Sequence, residues 1–215
     1  MLELGLKTLL AYLLGSVVGA LVVGHIRGVD IRTMGSGNAG GTNALRTQGL
    51  GFAAATVVID VGKGWLAAGW LPAIGLPIAA DAWRFAPEWI AASCAVAAIA
   101  GHIYPLWHDF RGGKGGATLA GALLALSPLM LCIAVAAWLG IVVLLGFVGL
   151  ATVAAAGAVP VAAALAPAPP SLLAFGVAAA GLVTFAHRGN LARIRAGTEP
   201  HADALWLFRP RKSRR

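Results

Sequence analysis

The chain has 215 residues, 59% hydrophobic and 11% charged, and its sixteen Lys and Arg against eight Asp and Glu give a formal charge of +8. Soluble domains carry about 45–50% apolar and about 25% charged residues, so this composition excludes intrinsic disorder and argues against a soluble enzyme, since a chain this small cannot hide so much apolar surface from water. The basic residues are scattered between long apolar runs, which fits anionic lipid headgroups or a phosphorylated substrate and not nucleic acid.

About 20 apolar residues cross a bilayer core, and on that measure the chain predicts an all-α polytopic membrane domain over 1–215. The first span runs from about Leu4 to Gly24. No cationic n-region and no A-x-A site accompany it, so it is expected to be retained. A polar, Gly-rich loop from His25 to Gly49 follows. The second span, Leu50 to Leu71, carries Asp60 and Lys63. A Pro- and Trp-marked stretch, Pro72 to Pro87, leads to a third span from Glu88 to Trp107, and a second polar loop covers His108 to Thr118. Leu119 to Leu145 is too long for one span. Pro128 removes a donor and disfavours helix at Ser127, so a short fourth span is expected to end near Leu126 and a fifth to run from Pro128 to Gly146. The sixth covers Val148 to Leu165 and the seventh Ser171 to Ala186, with a basic tail over 188–215. Cys94 and Cys132 lie inside apolar runs and read as small core residues, not as a disulfide or a metal pair.

Seven spans place the loops 25–49 and 108–118 and the tail on one side. Those segments hold 13 of the 16 basic residues, so this side is expected to be cytoplasmic, with the N-terminus outside and the C-terminus inside. One long span over 119–145 would put the tail opposite the two loops, against that rule.

The three same-side segments carry the chemistry. Gly35 to Arg46 reads GSGNAGGTNALR. Its G-x-G-x-x-G match lacks the strand and βαβ unit of a dinucleotide site. Closely spaced glycines still let backbone N–H groups converge on one anion; Ser36, Asn38, Thr42 and Asn43 add short donors, and Arg46 adds a fork suited to phosphate. A flexible linker is the bland alternative. Gly101 to Thr118 contains GHIYP and then FRGGKGGAT. Gly115 follows Lys114, so this is no Walker A loop, but a Gly-rich turn with a cation at its centre opens into a helix whose N-terminus favours anions. A basic loop on lipid headgroups is the alternative. The third segment is His187, Arg188, Gly189 and Asn190, then Arg193 and Glu199. If the seventh helix continues, His187, Asn190 and Ile194 share one face; a lone His at a span end is otherwise an interfacial residue.

Asp60 and Lys63 are i, i+3 neighbours inside a span, where an unpaired charge costs on the order of 3 kcal/mol. A structural ion pair and a site role both fit them. His102 and His108 have no Cys, Asp or Glu at ligand spacing, so neither a metal site nor a cofactor is expected.

In order and spacing, GSGNAGGTNALR, GHIYP with FRGGKGGAT, and AHRGNLARIRAGTE resemble the three motifs of the bacterial acyl-phosphate:glycerol-3-phosphate acyltransferases. The run from Asp60 to Gly64 is similar to that family's Asp-x-x-Lys-Gly. The motifs cover about 45 residues, and the hydropathy layout matches over nearly the whole chain. The resemblance implies a seven-helix enzyme of the bacterial inner membrane with a cytoplasmic active site. Its reaction would move an acyl chain from acyl-phosphate to the 1-hydroxyl of glycerol 3-phosphate, giving lysophosphatidic acid and phosphate in the first acylation of phospholipid synthesis. It also implies, as a partner, a soluble acyl-phosphate-producing enzyme.

Carried over by position, Ser36, Arg46, Lys114, His187 and Asn190 would be catalytic. Gly35, Gly37, Asn38, Thr42, Asn43, Gly112, Gly113, Gly115, Thr118, Arg193 and Glu199 would bind substrate or shape the pocket. The chain departs from the family pattern at Gly41, Gly116 and Ala186, and at Gly149, where a family pocket hydroxyl is missing. Acyl-phosphate is already activated, so no covalent enzyme intermediate is needed; the chain shows no G-x-S-x-G elbow, and neither His102 nor His108 opens an H-x-x-x-x-D pair. Catalysis by positioning and charge stabilisation is expected. The rival reading is a transporter of a phosphorylated solute, which Gly-rich interruptions and intramembrane charges also suit. A lipid-binding scaffold is a third.

Overall fold

The computed structural model describes residues 1–75, 85–202 and 205–208, and these residues form helices and turns with no strand among them. Each of the seven apolar segments is helical. The first is broken: α1 (Leu2–Gly15) and α2 (Gly19–Arg27) meet at a bend of 42°. A continuous span over Leu4 to Gly24 was the expectation. The break survives because side chains from the next span take up the backbone groups it frees. Lys63 donates to the carbonyls of Gly15 and Val17, each at 2.8 Å, and Asp60 Oδ1 accepts from the Gly19 N–H at 3.0 Å.

Beyond a left-handed Gly28, the loop leads to the short α3 (Gly41–Gln48) and then to α4 (Leu50–Ala73), which contains a wide π turn at Leu66–Trp70. Helix α5 (Pro87–Ile103) is the central element and packs against α1, α4, α6 and α9. The 11-residue α6 (Gly116–Leu126) lies along α4. Two antiparallel hairpin connections complete the bundle, from α7 (Pro128–Leu145) to α8 (Val148–Leu165) and from α8 to α9 (Pro170–Ala186). A bend of 55° at His187 then leads to α10 (Arg188–Arg195). At α7, Ser127 caps through its hydroxyl and Pro128 occupies the first helical position, the start that the Ser-Pro pair predicts.

Among the described residues four helices are long and apolar enough to cross a membrane, or up to six spans if each bent pair counts as one. Helix α6 is too short to cross alone: its 11 residues rise about 16 Å against a core of about 30 Å. Helix α7 has only 17% of its residues buried, and Leu129, Leu139, Val161, Leu165 and Val177 are exposed around the bundle. An apolar girdle of this kind meets lipid, not water.

Small residues set the interior. Gly15 and Gly101 let α1 and α5 touch backbone to backbone, at Ala98 and Tyr12. Gly64 and Gly121 do the same for α4 and α6, at Thr118 and Val61. Without a hydrophobic drive between helices in lipid, such close approach is what dispersion needs. A core around Ile99, Leu123, Val159 and Phe175 joins α4 through α9, and a second around Val18, Ile31, Ala39, Ala44 and Phe52 seats the first Gly-rich loop.

Candidate functional site

The first Gly-rich segment is an internally braced loop. Asn43, 1% exposed, accepts from the Ser36 N–H at 3.0 Å and donates to the carbonyls of Ile31 (3.2 Å) and Met34 (3.0 Å). That amide replaces the missing backbone ladder of the turn. Gly35 and Gly37 have φ of +55° and +71°, a region that L side chains avoid. Ser36 and Thr42 are exposed, Asn38 folds against Gly40, and Arg46 extends from the last turn of α3 with no hydrogen bond or ion pair to the described residues.

Residues 112–113 zip onto the end of α5. The Gly112 N–H donates to Ile103 O (3.2 Å) and the Gly113 N–H to His102 O (3.1 Å). Gly113 also lies against the Ala39 carbonyl, where an added Cβ would meet the oxygen at 2.6 Å. The first and second segments therefore touch. Arg32 adds a bridge between them: it grips both carboxylate oxygens of Asp30 and donates from Nη1 to His108 O at 3.2 Å. The guanidinium holds the Asp30 carboxyl below the usual carboxylate range. Arg32 was absent from the sequence-derived set, although Asp-x-Arg after a helix end is a turn signature that could have found it.

Second and third segments meet through Lys114. Gly115, at φ +83°, turns the chain into α6 and leaves Lys114 hydrogen-bonded to Asn190 Oδ1. Asn190 Nδ2 donates to Glu199 Oε1 at 2.5 Å, and Arg193 Nε donates to Glu199 Oε2 at 2.7 Å. The order ammonium, amide, carboxylate, guanidinium fixes the amide with its oxygen toward Lys114. Two cations share one carboxylate, so the chain keeps a positive excess beside the free amides of the α6 N-terminus, a setting made for an anion. Burial pushes Lys114 down to about 8, with the nearby Arg193 adding to the fall and Glu199 opposing it.

His187 is 5% exposed and sits at the bend between α9 and α10, so the helix does not continue straight through it. Its backbone N–H (3.0 Å) and its ring Nδ1 (2.8 Å) both reach Val183 O. A carbonyl only accepts, so Nδ1 carries the proton and Nε2 is the available nitrogen. Gly149 lies against Asn190, where a Cβ would meet its side chain at 2.8 Å. Thr152 does not replace the hydroxyl missing there, since its Oγ1 donates to Val148 O (2.9 Å) and accepts from Trp138 Nε1 (3.2 Å). Thr118 is fully buried between α4 and α6. Asp60, Lys63 and His102 come together as a buried cluster, a grouping that sequence spacing did not reveal for His102.

Two cavities lie to either side of these residues. One of about 290 Å³ is at the far end of α6, lined by Glu88, Leu126, Ser127, Met130 and Leu172. The other, about 300 Å³, is under the end of α2, lined by His25, Asp30, Arg32 and His108.

The profile of the glycerol-3-phosphate acyltransferase family matches residues 6–197. A relative from Synechococcus elongatus named glycerol-3-phosphate acyltransferase is 41% identical over 193 residues, covering 89% of this chain and 91% of its own. One of the same name from Salinibacter ruber is 39% identical over 209 residues, covering 92% and 91%. Among solved structures, the chain is similar to PlsY (YgiH), an integral membrane glycerol 3-phosphate acyltransferase. The glycerol 3-phosphate form superposes with a TM-score of 0.81 at 30% identity, covering 92% of this chain and 94% of that one; the lysophosphatidic acid form gives 0.79.

Proposed function

The chain belongs to the glycerol-3-phosphate acyltransferase family, and from that premise we propose that it acylates the 1-hydroxyl of glycerol 3-phosphate with acyl-phosphate as the donor. It is a multi-pass membrane protein. The hydrogen-bonded chain from Lys114 through Asn190 and Glu199 to Arg193 carries the reading, because it supplies half-buried positive charge at a helix N-terminus beside two Gly-rich turns.

In this reading Lys114, Arg46 and Ser36 hold the phosphates of the two substrates, with Asn190 and Glu199 fixing Lys114 and Arg193. The 1-hydroxyl oxygen attacks the acyl carbonyl carbon. The new ester C–O bond forms, the bond from the acyl carbon to the phosphate oxygen breaks, and the hydroxyl proton leaves with the phosphate. No covalent enzyme intermediate is needed, and the rate comes from orientation and from stabilising charge on two crowded phosphates. His187 orients groups through Nε2. Gly35, Gly37, Asn38, Thr42, Asn43, Gly112, Gly113 and Gly115 shape the turns around them, and Thr118 packs the first turn of α6 against α4.

The whole of 1–215 acts as one domain of the bacterial inner membrane, with α6 as the fourth and shortest of seven spans. The distribution of basic residues supports a cytoplasmic site and C-terminus and an external N-terminus. Acyl-phosphate is unstable in water, which supports delivery by a soluble acyl-phosphate-producing enzyme at that face.

The test is purified protein in detergent or lipid with glycerol 3-phosphate and either acyl-phosphate or acyl-CoA, following lysophosphatidic acid and phosphate release. Product from acyl-phosphate alone, nearly abolished in Lys114→Ala, is expected. Product from acyl-CoA alone would overturn the donor, and normal turnover in Lys114→Ala would overturn the site.

A further inference from the structure

Asp60, Lys63 and His102 are 1–3% exposed. Lys63 Nζ stands 2.9 Å from Asp60 Oδ1 and 2.8 Å from His102 Nδ1, and His102 Nδ1 is 3.3 Å from the same carboxylate oxygen. Removing two charges from water costs several kcal/mol per ion, and apolar residues often fill such a place equally well. Stability alone is therefore a poor account of the cluster.

The hydrogen bonds that leave it point to another role. Lys63 takes the carbonyls of Gly15 and Val17 and Asp60 takes the Gly19 N–H, the groups freed where α1 breaks before α2. Helix α2 leads directly into the loop that carries Ser36. On its other side the His102 ring abuts Gly113, so that a Cβ there would collide with Nε2 and lie 2.9 Å from Cε1. Gly113 is also bonded to the His102 carbonyl and precedes Lys114. One buried group thus touches the backbone on both approaches to the phosphate-holding residues.

We propose that Asp60, Lys63 and His102 are positioning residues for acyl transfer: they splint the broken first span and seat the Gly112–Gly113 turn so that Lys114 meets Asn190. The proposal rests on the function given above, since it assigns the cluster to a site whose Lys114 holds phosphate.

His102→Ala and His102→Gln test it, in the full-length protein in detergent, with kinetics and melting temperature measured together. A shift of about 1 Å in a positioned group costs on the order of 10²-fold. His102→Ala is therefore expected to raise KM for glycerol 3-phosphate at least about tenfold per folded molecule. His102→Gln, whose amide oxygen can accept from Lys63, should recover most of the loss. A fall in kcat that only tracks the folded fraction, with KM unchanged, overturns the proposal. So does a Gln variant no better than Ala. Should His102→Ala fail to fold, Gly113→Ala presses the His102 ring, together with the Ala39 carbonyl, from the loop side; it should raise KM alike, and an unchanged KM refutes. If wild-type protein forms no product, the function fails by itself. Positioning is then read from protection against melting by glycerol 3-phosphate, which the Ala variant should lose and which would count against the proposal if kept.

Discussion

Replacing Gly121 with Ala should damage activity more than stability. Gly121, in the 11-residue α6, faces α4. A Cβ there would collide with Val61 O, stand 2.8 Å from Val61 C and 3.0 Å from Trp65 N, all of it backbone that cannot rotate away. Relief of the collision with Val61 O to an ordinary contact of about 3.5 Å moves α6 outward by more than about 1 Å. Overpacking of this size costs about 1–3 kcal/mol, and Ala returns up to about 1 kcal/mol of helix propensity over Gly. The net loss of stability is then up to about 2 kcal/mol. Lys114 sits two residues before the start of α6, however, and a displacement of about 1 Å costs on the order of 10²-fold in rate. The expected result is a loss of kcat/KM of at least about tenfold with a small drop in melting temperature. Gly157→Ala in α8 is the control, since nothing lies within 4 Å of the Cβ it would add. Phosphate release from acyl-phosphate gives the rate. If Gly121→Ala performs as Gly157→Ala does, the backbone contact does not set the position of Lys114.

The depressed Lys114 ammonium should appear in the pH profile. In the proposed site its charged form holds phosphate, so kcat/KM should be full below about 8 and fall as pH rises through that value; Lys114→Arg, charged throughout, should remove the alkaline limb, and a flat profile between about pH 7 and 9.5 would contradict the assignment. Asn43→Ala removes three hydrogen bonds from the first loop. Each buried partner left unsatisfied costs about 1–3 kcal/mol, so the melting temperature should drop by several degrees; a variant that melts within one degree of wild type would show the loop to be braced elsewhere.

Apolar run lengths located the helices closely: the predicted 50–71, 128–146, 148–165 and 171–186 became Leu50–Ala73, Pro128–Leu145, Val148–Leu165 and Pro170–Ala186. The break at Ser16 to Val18 was not legible. Those residues are apolar or small and contain no Pro, and the groups that stabilise the gap lie 41 to 48 residues away in α4. Long separation also hid His102, whose partners are 39 and 42 positions upstream in the chain. At the site, residue chemistry marked Lys114 and Asn190 individually, and the family resemblance marked Glu199. The order in which they bond is tertiary, since Lys114 and Asn190 are 76 residues apart. Arg32 was overlooked because a short-range pair with Asp30 resembles a solvated turn until His108 is folded beside it.

The brevity of α6 has a consequence for how the two reactants find each other. A rise of about 16 Å covers about half the hydrocarbon thickness. In the proposed orientation, Lys114 lies well below the level of the cytoplasmic headgroups when Leu126 reaches the outer edge of the hydrocarbon core. The two substrates prefer different phases: glycerol 3-phosphate partitions into water, and the donor's hydrocarbon tail partitions into lipid. A recessed cationic floor lets the aqueous phase dip toward the bilayer interior, so that the tail stays in oil while its phosphate end is wetted. Neither reactant then has to be extracted from its own solvent to meet the other.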